Sequence, residues 1–204
     1  MSGSAAGPPT IGLAGGIGAG KSRVAALLAE LGCVVSDSDA DARAVLADPE
    51  VIATLRSWWG DDVVGVDGAI DRGKVAGRVF TDVEERRRLE SVLHPRIHER
   101  RAARFAAAPP DTRAFVIDAP LLFEAGLDAE CDAVIFVDAS RPTRLARVAA
   151  NRGWSDEELA RRESAQWPID RKRSLATLII DNTTNDEDFL RTETRKALEQ
   201  LTRS

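Results

Sequence analysis

Apolar residues along the chain follow two patterns. Short runs without polar alternation lie at 11–14, 33–36, 114–117, 133–137 and 178–180. Each run is partly β-branched and is followed by a small or acidic residue, which is typical of strands buried on both faces of a parallel sheet. The sequence therefore predicts five parallel strands.

The segments between these runs have the spacing of amphipathic helices. We predict helices over 21–31, 141–151, 155–166 and 187–201. Because strands and helices alternate, a parallel α/β sheet with right-handed crossovers is the simplest interpretation. The long gap at about 40–110 has only helical signals, broken by the turn-like stretch WWGDDVVGVDGAIDRG and by Pro95. There we expect a helical insertion that forms a movable lobe.

Composition favours one main globular domain. The chain has 204 residues, of which 44% are hydrophobic and 30% charged, enough apolar material for one sizeable core. A net charge of -5 argues against a general nucleic-acid partner, since duplex affinity depends on a basic surface. Residues 1–10 lack the apolar segment of a signal peptide, and no run approaches a membrane span. We expect a flexible leader over 1–10, one domain over 11–204, a cytoplasmic location and no membrane partner.

The stretch GLAGGIGAGKSR at 12–23 fits the P-loop pattern. An apolar strand precedes it and an amphipathic helix follows it, which is the context that the pattern requires. Glycines and the helix N-terminus together can wrap backbone N–H groups around a triphosphate. Lys21 would reach the β- and γ-phosphates of the nucleotide, and Ser22 would bind Mg²⁺. The predicted nucleotide contacts are Gly16, Gly18, Ala19, Gly20, Lys21, Ser22 and Arg23.

Other segments bear on the fate of the terminal phosphate. No lysine of the chain lies in the Asn-Lys-x-Asp segment of a guanine-specific GTPase. Asp118 is followed by Ala119, not by the Glu with which motor ATPases activate water. A kinase instead needs a carboxylate opposite the phosphate loop and arginines on a closing lid. For Asp118 itself two interpretations are open: a capping or turn residue, or a carboxylate that holds Mg²⁺ through water.

Carboxylates and arginines of this kind are present. Asp37 and Asp39 follow the second apolar run, at the edge where open α/β sheets bind ligands. Either could orient or deprotonate an acceptor hydroxyl, although Asp39 could equally be the N-cap of a helix. Six arginines in the stretch 141–162 could supply the lid, and their pattern alone does not say which one acts.

The ordered motifs carry a family resemblance. GLAGGIGAGKS, VVSDSDADAR, LHP at 93–95, DAPLLFEAG at 118–126 and IIDN at 179–182 resemble the successive signatures of the dephospho-CoA kinases, from residue 11 to about 201. The resemblance implies a P-loop NTPase fold of three layers with a five-stranded parallel sheet, a helical substrate-binding insertion and a helical lid at about 147–172.

The resemblance also implies an activity and its residues. The activity is the ATP-dependent phosphorylation of the ribose 3'-hydroxyl of dephospho-CoA, the last step of coenzyme A synthesis. Asp39 resembles the catalytic base, Asp37 the neighbouring carboxylate, and Arg147 the lid arginine that meets the phosphates of ATP. His94 resembles an acceptor-binding residue, with a helix-boundary role as the alternative. Leu122 and Phe123 would line the acceptor side, and the protein would be a monomer or a small homo-oligomer.

Two other functions fit some of these features. A kinase of another nucleoside, nucleotide or small alcohol could use the same fold. A regulatory or scaffold protein could bind ATP and do little with it. A protein that only binds ATP would not require Asp39 or the lid arginines. The His-Pro and DAPLLFE motifs distinguish the dephospho-CoA kinases from other kinases of the same fold.

Overall fold

A computed structural model of the chain describes residues 7–203 and divides it into two compact units. One unit, here the α/β unit, runs up to Asp37 and resumes at Ala108. The other, here the helical unit, is Ser38–Ala107. Residues 1–6 of the predicted leader lie outside the described residues, and the first strand begins at Thr10, one residue inside that leader.

The α/β unit is built on a five-stranded parallel sheet, as predicted. Its strands in chain order are β1 (Thr10–Gly15), β2 (Val34–Asp37), β3 (Phe115–Asp118), β4 (Ala133–Asp138) and β5 (Leu178–Asp181). The spatial order is β2-β3-β1-β4-β5, so the strand that leads into the P-loop is central. The five strands lie where the apolar runs predicted them, with boundaries shifted by a residue or so.

Helices fill the connections between the strands. In chain order they are α1 (Lys21–Glu30), α2 (Ser38–Leu46), α3 (Pro49–Trp59), α4 (Arg72–Thr81), α5 (Val83–Ala106), α6 (Arg141–Arg152), α7 (Asp156–Glu163), α8 (Ile169–Ser174) and α9 (Glu187–Leu201). The four predicted helices correspond to α1, α6, α7 and α9. The short helix α8 was not predicted. No helix in the described residues is long and apolar enough to span a membrane.

The core of the α/β unit explains why these strands are so apolar. Ile11, Leu13 and Ile135 in the central strands are fully buried. They pack with Leu28 of α1 and Leu198 of α9, which are also fully buried. Each such side chain contributes about 1.5–3 kcal/mol when it leaves water. This burial fixes the sheet and therefore the positions of the loops at its carboxyl edge.

The helical unit has a core of its own, formed by α2, α3, α4, α5 and the turn after α3. Val51, Leu55 and Val63 are at most 1% exposed. Asp48, Asp71 and Asp82 cap the N-termini of α3, α4 and α5 with their carboxylates. The unit therefore has its own hydrophobic core, and its role as a substrate-binding lobe stays a prediction.

Pro95 corrects one expectation, because it lies inside a continuous helix and breaks nothing. Pro95 has no N–H to donate to the carbonyl four residues earlier, a defect that costs about 3 kcal/mol or more in a helix interior. The 24-residue helix α5 persists through it because Asp82 caps its start and because it packs against α2 and α4. The side chain of Arg96 also donates to the carbonyl of Val92. His94 is therefore a mid-helix residue, and its interpretation as a helix boundary is wrong.

Candidate active site

The P-loop connects β1 to α1 at the centre of the sheet. Gly18 and Gly20 have φ angles of 79° and 93°, which favour glycine. The N–H of Ala19 donates to the carbonyl of Gly16 at 3.0 Å and closes a turn inside the loop. At the start of α1, the N–H groups of Lys21 and Ser22 precede the first hydrogen bond of the helix, which the N–H of Arg23 donates to the carbonyl of Gly20 at 2.9 Å. The loop thus ends in a backbone arrangement suited to an anion.

Packing also constrains these glycines. A Cβ on Gly16 would lie 2.7 Å from Cδ1 of Ile169, and one on Gly18 would lie 2.8 Å from the carbonyl oxygen of Arg144. The loop therefore lies directly against α6 and α8, and part of its glycine content is explained by this close approach.

Lys21 and Asp118 form an ion pair beside the loop. Lys21 is the first residue of α1 and Asp118 the last of β3, and Nζ of Lys21 contacts Oδ1 of Asp118. Asp118 caps no helix in the described residues, so the capping interpretation is wrong. Asp37 is its register partner on β2, and Ser22 is exposed at the start of α1. Carboxylate and hydroxyl oxygens are the ligands that Mg²⁺ prefers, so this donor set fits the predicted ion.

On one side of the P-loop lies the carbonyl flank, which consists of Arg147 and Asn182 with the loop 182–185. Arg147 donates to the carbonyls of Ala19, Asn182 and Thr184 at 3.2, 2.8 and 3.2 Å, and to Oδ1 of Asn185. Among the described residues none of its partners is a carboxylate. Burial lowers the pKa of Arg147 from its usual value. A cation partly removed from water without a counter-ion is a suitable partner for an anionic ligand.

On the other side lies the ion-paired flank, which consists of Arg144, Glu163, Lys172 and Glu124. Arg144 is 4% exposed; it donates to the carbonyls of Ala139 and Ile17 and pairs with Glu163. Lys172 is 2% exposed and pairs with Oε1 of Glu124 at 2.6 Å. Both cations pair with carboxylates, so α7 is joined to α6 by the first pair and α8 to the loop that follows β3 by the second.

A cavity of about 230 Å³ lies within this flank. Its lining combines apolar groups, which include Ile17, Trp167 and Ile169, with Arg144 and Lys172. Because its wall also includes Gly16, the cavity opens beside the P-loop. The loop thus adjoins a partly polar space bounded by α6 and α8.

Three of the predicted contact residues have side chains that are ion-paired or buried in the core. Arg23 pairs with Glu187 and Glu30 on the outer side of α1, so its side chain is engaged in surface ion pairs. Leu122 and Phe123 are 0% and 4% exposed. Their burial makes them packing residues in this structure and does not support their assignment as substrate contacts.

Asp39 and His94 belong to the helical unit. Asp39 is the second residue of α2, inside its first turn, so its interpretation as the N-cap is wrong. Its side chain is exposed, as is that of His94 in the middle of α5. Neighbouring Asp41 is 1% exposed and accepts two hydrogen bonds of 2.8 Å from Arg104. The catalytic role of Asp39 and the acceptor role of His94 remain predictions.

Sequence reasoning missed two features of the site. Lys172 gave no signal, since nothing in a local pattern indicates that a lysine in a short polar helix is buried. Asn182 could have been found, because it directly follows β5 at the edge of the sheet where Asp118 and Asp37 end their strands.

The fold and the site define the chain as a P-loop kinase. Among solved structures it resembles shikimate kinase from Bacteroides thetaiotaomicron in fold, with a TM-score of 0.54, 14% identity and coverage of 95% of this chain and 98% of that one. The crystal structure of TT1252 from Thermus thermophilus matches with a TM-score of 0.84 and 36% identity, over 97% of this chain and all of that one.

The family can be named more narrowly. A family model described as dephospho-CoA kinase matches residues 9–188. Dephospho-CoA kinase from Deinococcus radiodurans is 43% identical over 86% of this chain and 84% of its own length. The dephospho-CoA kinase from Corynebacterium efficiens is 38% identical over 95% and 98%. The chain belongs to the dephospho-CoA kinase family.

Proposed function

We propose that the chain transfers the terminal phosphate of ATP to the ribose 3'-hydroxyl of dephospho-CoA and releases CoA and ADP. The family match over residues 9–188 supports this choice of donor and acceptor. The observation that carries the chemistry is the pair of cations at the P-loop: Lys21 pairs with Asp118, and Arg147 is held by backbone carbonyl and side-chain amide oxygens in the described part of the chain.

The donor side is assigned to the P-loop and its cations. N–H groups at the start of α1 would bind the phosphates, while Lys21 and Arg147 would meet the charge on the oxygens of the transferred group. Ser22 and Asp118 would hold Mg²⁺, Asp118 through water, and the bound ion supplies positive charge to the phosphate oxygens. These groups lower the barrier because their charges are already oriented when charge develops.

The acceptor side is assigned to Asp39, with Asp37 as its neighbouring carboxylate. The acceptor oxygen forms a bond to the γ-phosphorus as the bond from that phosphorus to the β-phosphate oxygen breaks. The hydroxyl proton passes to the Asp39 carboxylate, and the electron pair of the broken bond stays on ADP. A general base of this kind contributes typically 10²- to 10⁴-fold.

One experiment tests the substrate assignment. ADP formation is measured with ATP and Mg²⁺ against dephospho-CoA, AMP, CMP, adenosine and pantothenate, and mass spectrometry locates the new phosphate. We expect turnover of dephospho-CoA with the phosphate on the 3'-oxygen. Turnover of AMP or CMP alone would indicate another kinase of the same fold, and ATP binding without any turnover would indicate a regulatory protein.

The role of Asp39 has its own test. We expect Asp39→Asn to lower kcat at least about 100-fold, since the amide cannot accept the proton, with the ATP dissociation constant nearly unchanged. Initial rates and ATP titrations measure both. Asp48→Asn, which changes an exposed helix-capping carboxylate of the same unit, is the control and should keep kcat. An unchanged kcat for Asp39→Asn would leave Asp39 a helix residue without a catalytic role.

A further inference from the structure

The peptide between Ala19 and Gly20 is held from one side by two donors. Nδ2 of Asn182 donates to the carbonyl oxygen of Ala19 at 2.7 Å, and Nη1 of Arg147 donates to the same oxygen at 3.2 Å. Asn182 is 6% exposed. A hydrogen bond in such surroundings is stronger than one in water, and leaving the carbonyl without it is costly.

This carbonyl determines where the adjoining N–H points. The peptide is trans, as are all those in the described residues, so its C=O and N–H point in opposite directions. With the carbonyl of Ala19 turned toward Asn182 and Arg147, the N–H of Gly20 points to the opposite side. Gly20 has a φ of 93°, and glycine could also adopt the conformation in which this peptide is flipped. A flipped peptide would direct a carbonyl oxygen where the N–H now points.

Asn182 is itself fixed at both ends of its backbone. Its N–H donates to the carbonyl of Asp138 at 2.8 Å, and its carbonyl accepts from Nη2 of Arg147 at 2.8 Å. A side chain at Gly20 would collide with Nδ2 of Asn182. The backbone of Asn182 is therefore held by the end of β4 and by Arg147, and its side-chain amide lies directly against the P-loop.

We propose that Asn182 is a positioning residue for the donor nucleotide, which locks the Ala19–Gly20 peptide in the orientation that turns an N–H toward the phosphates. The identity of the donor as ATP rests on the proposed function. Asn182 touches the loop and not the reacting atoms, so its loss should weaken nucleotide binding more than it changes the affinity for the acceptor.

Binding of ATP with Mg²⁺, measured by calorimetry without any acceptor, tests this role. Asn182→Asp keeps the shape but replaces the donor with a carboxylate oxygen that repels the Ala19 carbonyl. We expect ATP affinity to fall at least about tenfold for Asn182→Asp and somewhat less for Asn182→Ala, where Arg147 still binds the carbonyl. The dissociation constant of dephospho-CoA should change less than threefold in both variants.

Thr194→Val is the matched control. Thr194 is fully buried on α9, and within residues 7–203 its hydroxyl donates only to the carbonyl of Leu190 in its own helix, so the variant should lose stability without losing ATP affinity. ATP affinity within twofold of wild type in both folded Asn182 variants would overturn the proposal. A loss of ATP affinity in Thr194→Val as large as that in the Asn182 variants would also overturn it. Because the test needs no acceptor, failure of dephospho-CoA as substrate would leave its result intact.

Discussion

The carbonyl flank and the ion-paired flank surround the same P-loop but hold their positive charges differently. In the ion-paired flank, Arg144 and Lys172 each meet a carboxylate. In the carbonyl flank, Arg147 on the same helix as Arg144 meets only carbonyl and amide oxygens within the described residues. Less than one helical turn separates the two arginines.

This difference in partners distinguishes a cation that stabilises the fold from one that can bind a ligand. A buried cation that already has a carboxylate partner offers little net charge to a ligand, and its removal leaves the partner uncompensated. Carbonyl oxygens orient a guanidinium but do not neutralise it, so Arg147 can still attract a phosphate. We infer that the ion-paired flank contributes to stability and that the carbonyl flank contributes to catalysis.

The largest effect should come from removing the cation of the carbonyl flank. We expect Arg147→Ala to lower kcat/KM about 1000-fold, because an arginine that stabilises a phosphoryl group in transfer contributes 10³- to 10⁵-fold. Initial rates with ATP and dephospho-CoA measure the loss. Arg195→Ala, at an exposed position of α9, should leave the rate unchanged. A loss below tenfold for Arg147→Ala would contradict the inference that the carbonyl flank contributes to catalysis.

An intermediate effect should follow from breaking the ion-paired flank. Lys172→Met leaves the Glu124 carboxylate buried without its cation, which should lower the free energy of unfolding by about 3 kcal/mol. The double variant Glu124→Gln with Lys172→Met should recover much of that loss, since both charges are then gone. Urea unfolding of the two single variants and the double variant measures the coupling. Purely additive losses would mean that the pair does not act as a unit.

The smallest effect should come from ion pairs at the surface of α7, where Arg161 and Arg162 are exposed and their partner Glu158 is partly exposed. Hydrogen bonds from Arg161 and Arg162 lower the pKa of Glu158 from 4.5 to about 2. Since the folded pKa lies below the unfolded one, the carboxylate stabilises the fold above pH 4.5. That contribution disappears as the pH falls through about 2. Glu158→Gln should therefore change Tm by at most about 2 °C at pH 7 and by less near pH 2. A larger change would show that burial is not what separates the two kinds of pair.

The sheet could be predicted from sequence because its strands are buried on both faces. Runs such as 133–137 have no polar residue to interrupt them, and β4 is buried over the same positions. Helix α8 could not be predicted, since IDRKRS has no apolar period and is held by the burial of Lys172. Pro95 wrongly predicted a break in the helix, because packing and an N-cap outweigh the local loss of one hydrogen bond.

The site divides in the same way. The P-loop and the position of Asp118 were predictable, because motifs and strand ends are local features of the sequence. The ion pair of Lys172 with Glu124 and the bond of Asn182 to Ala19 join residues 48 and 163 positions apart. Such partners are chosen by the fold as a whole, so a single sequence does not indicate them.

The register of β2 with β3 has a consequence for the chain between them. The polypeptide leaves the sheet after Asp37 and returns at Phe115, and these two strands are hydrogen-bonded neighbours. The chain therefore leaves and re-enters the sheet at one pair of neighbouring strands, as at the sites where domain insertions are tolerated. A segment of different length or sequence could be spliced in there without changing any other strand pairing. In such an architecture the helical unit could be exchanged while the P-loop remains as it is.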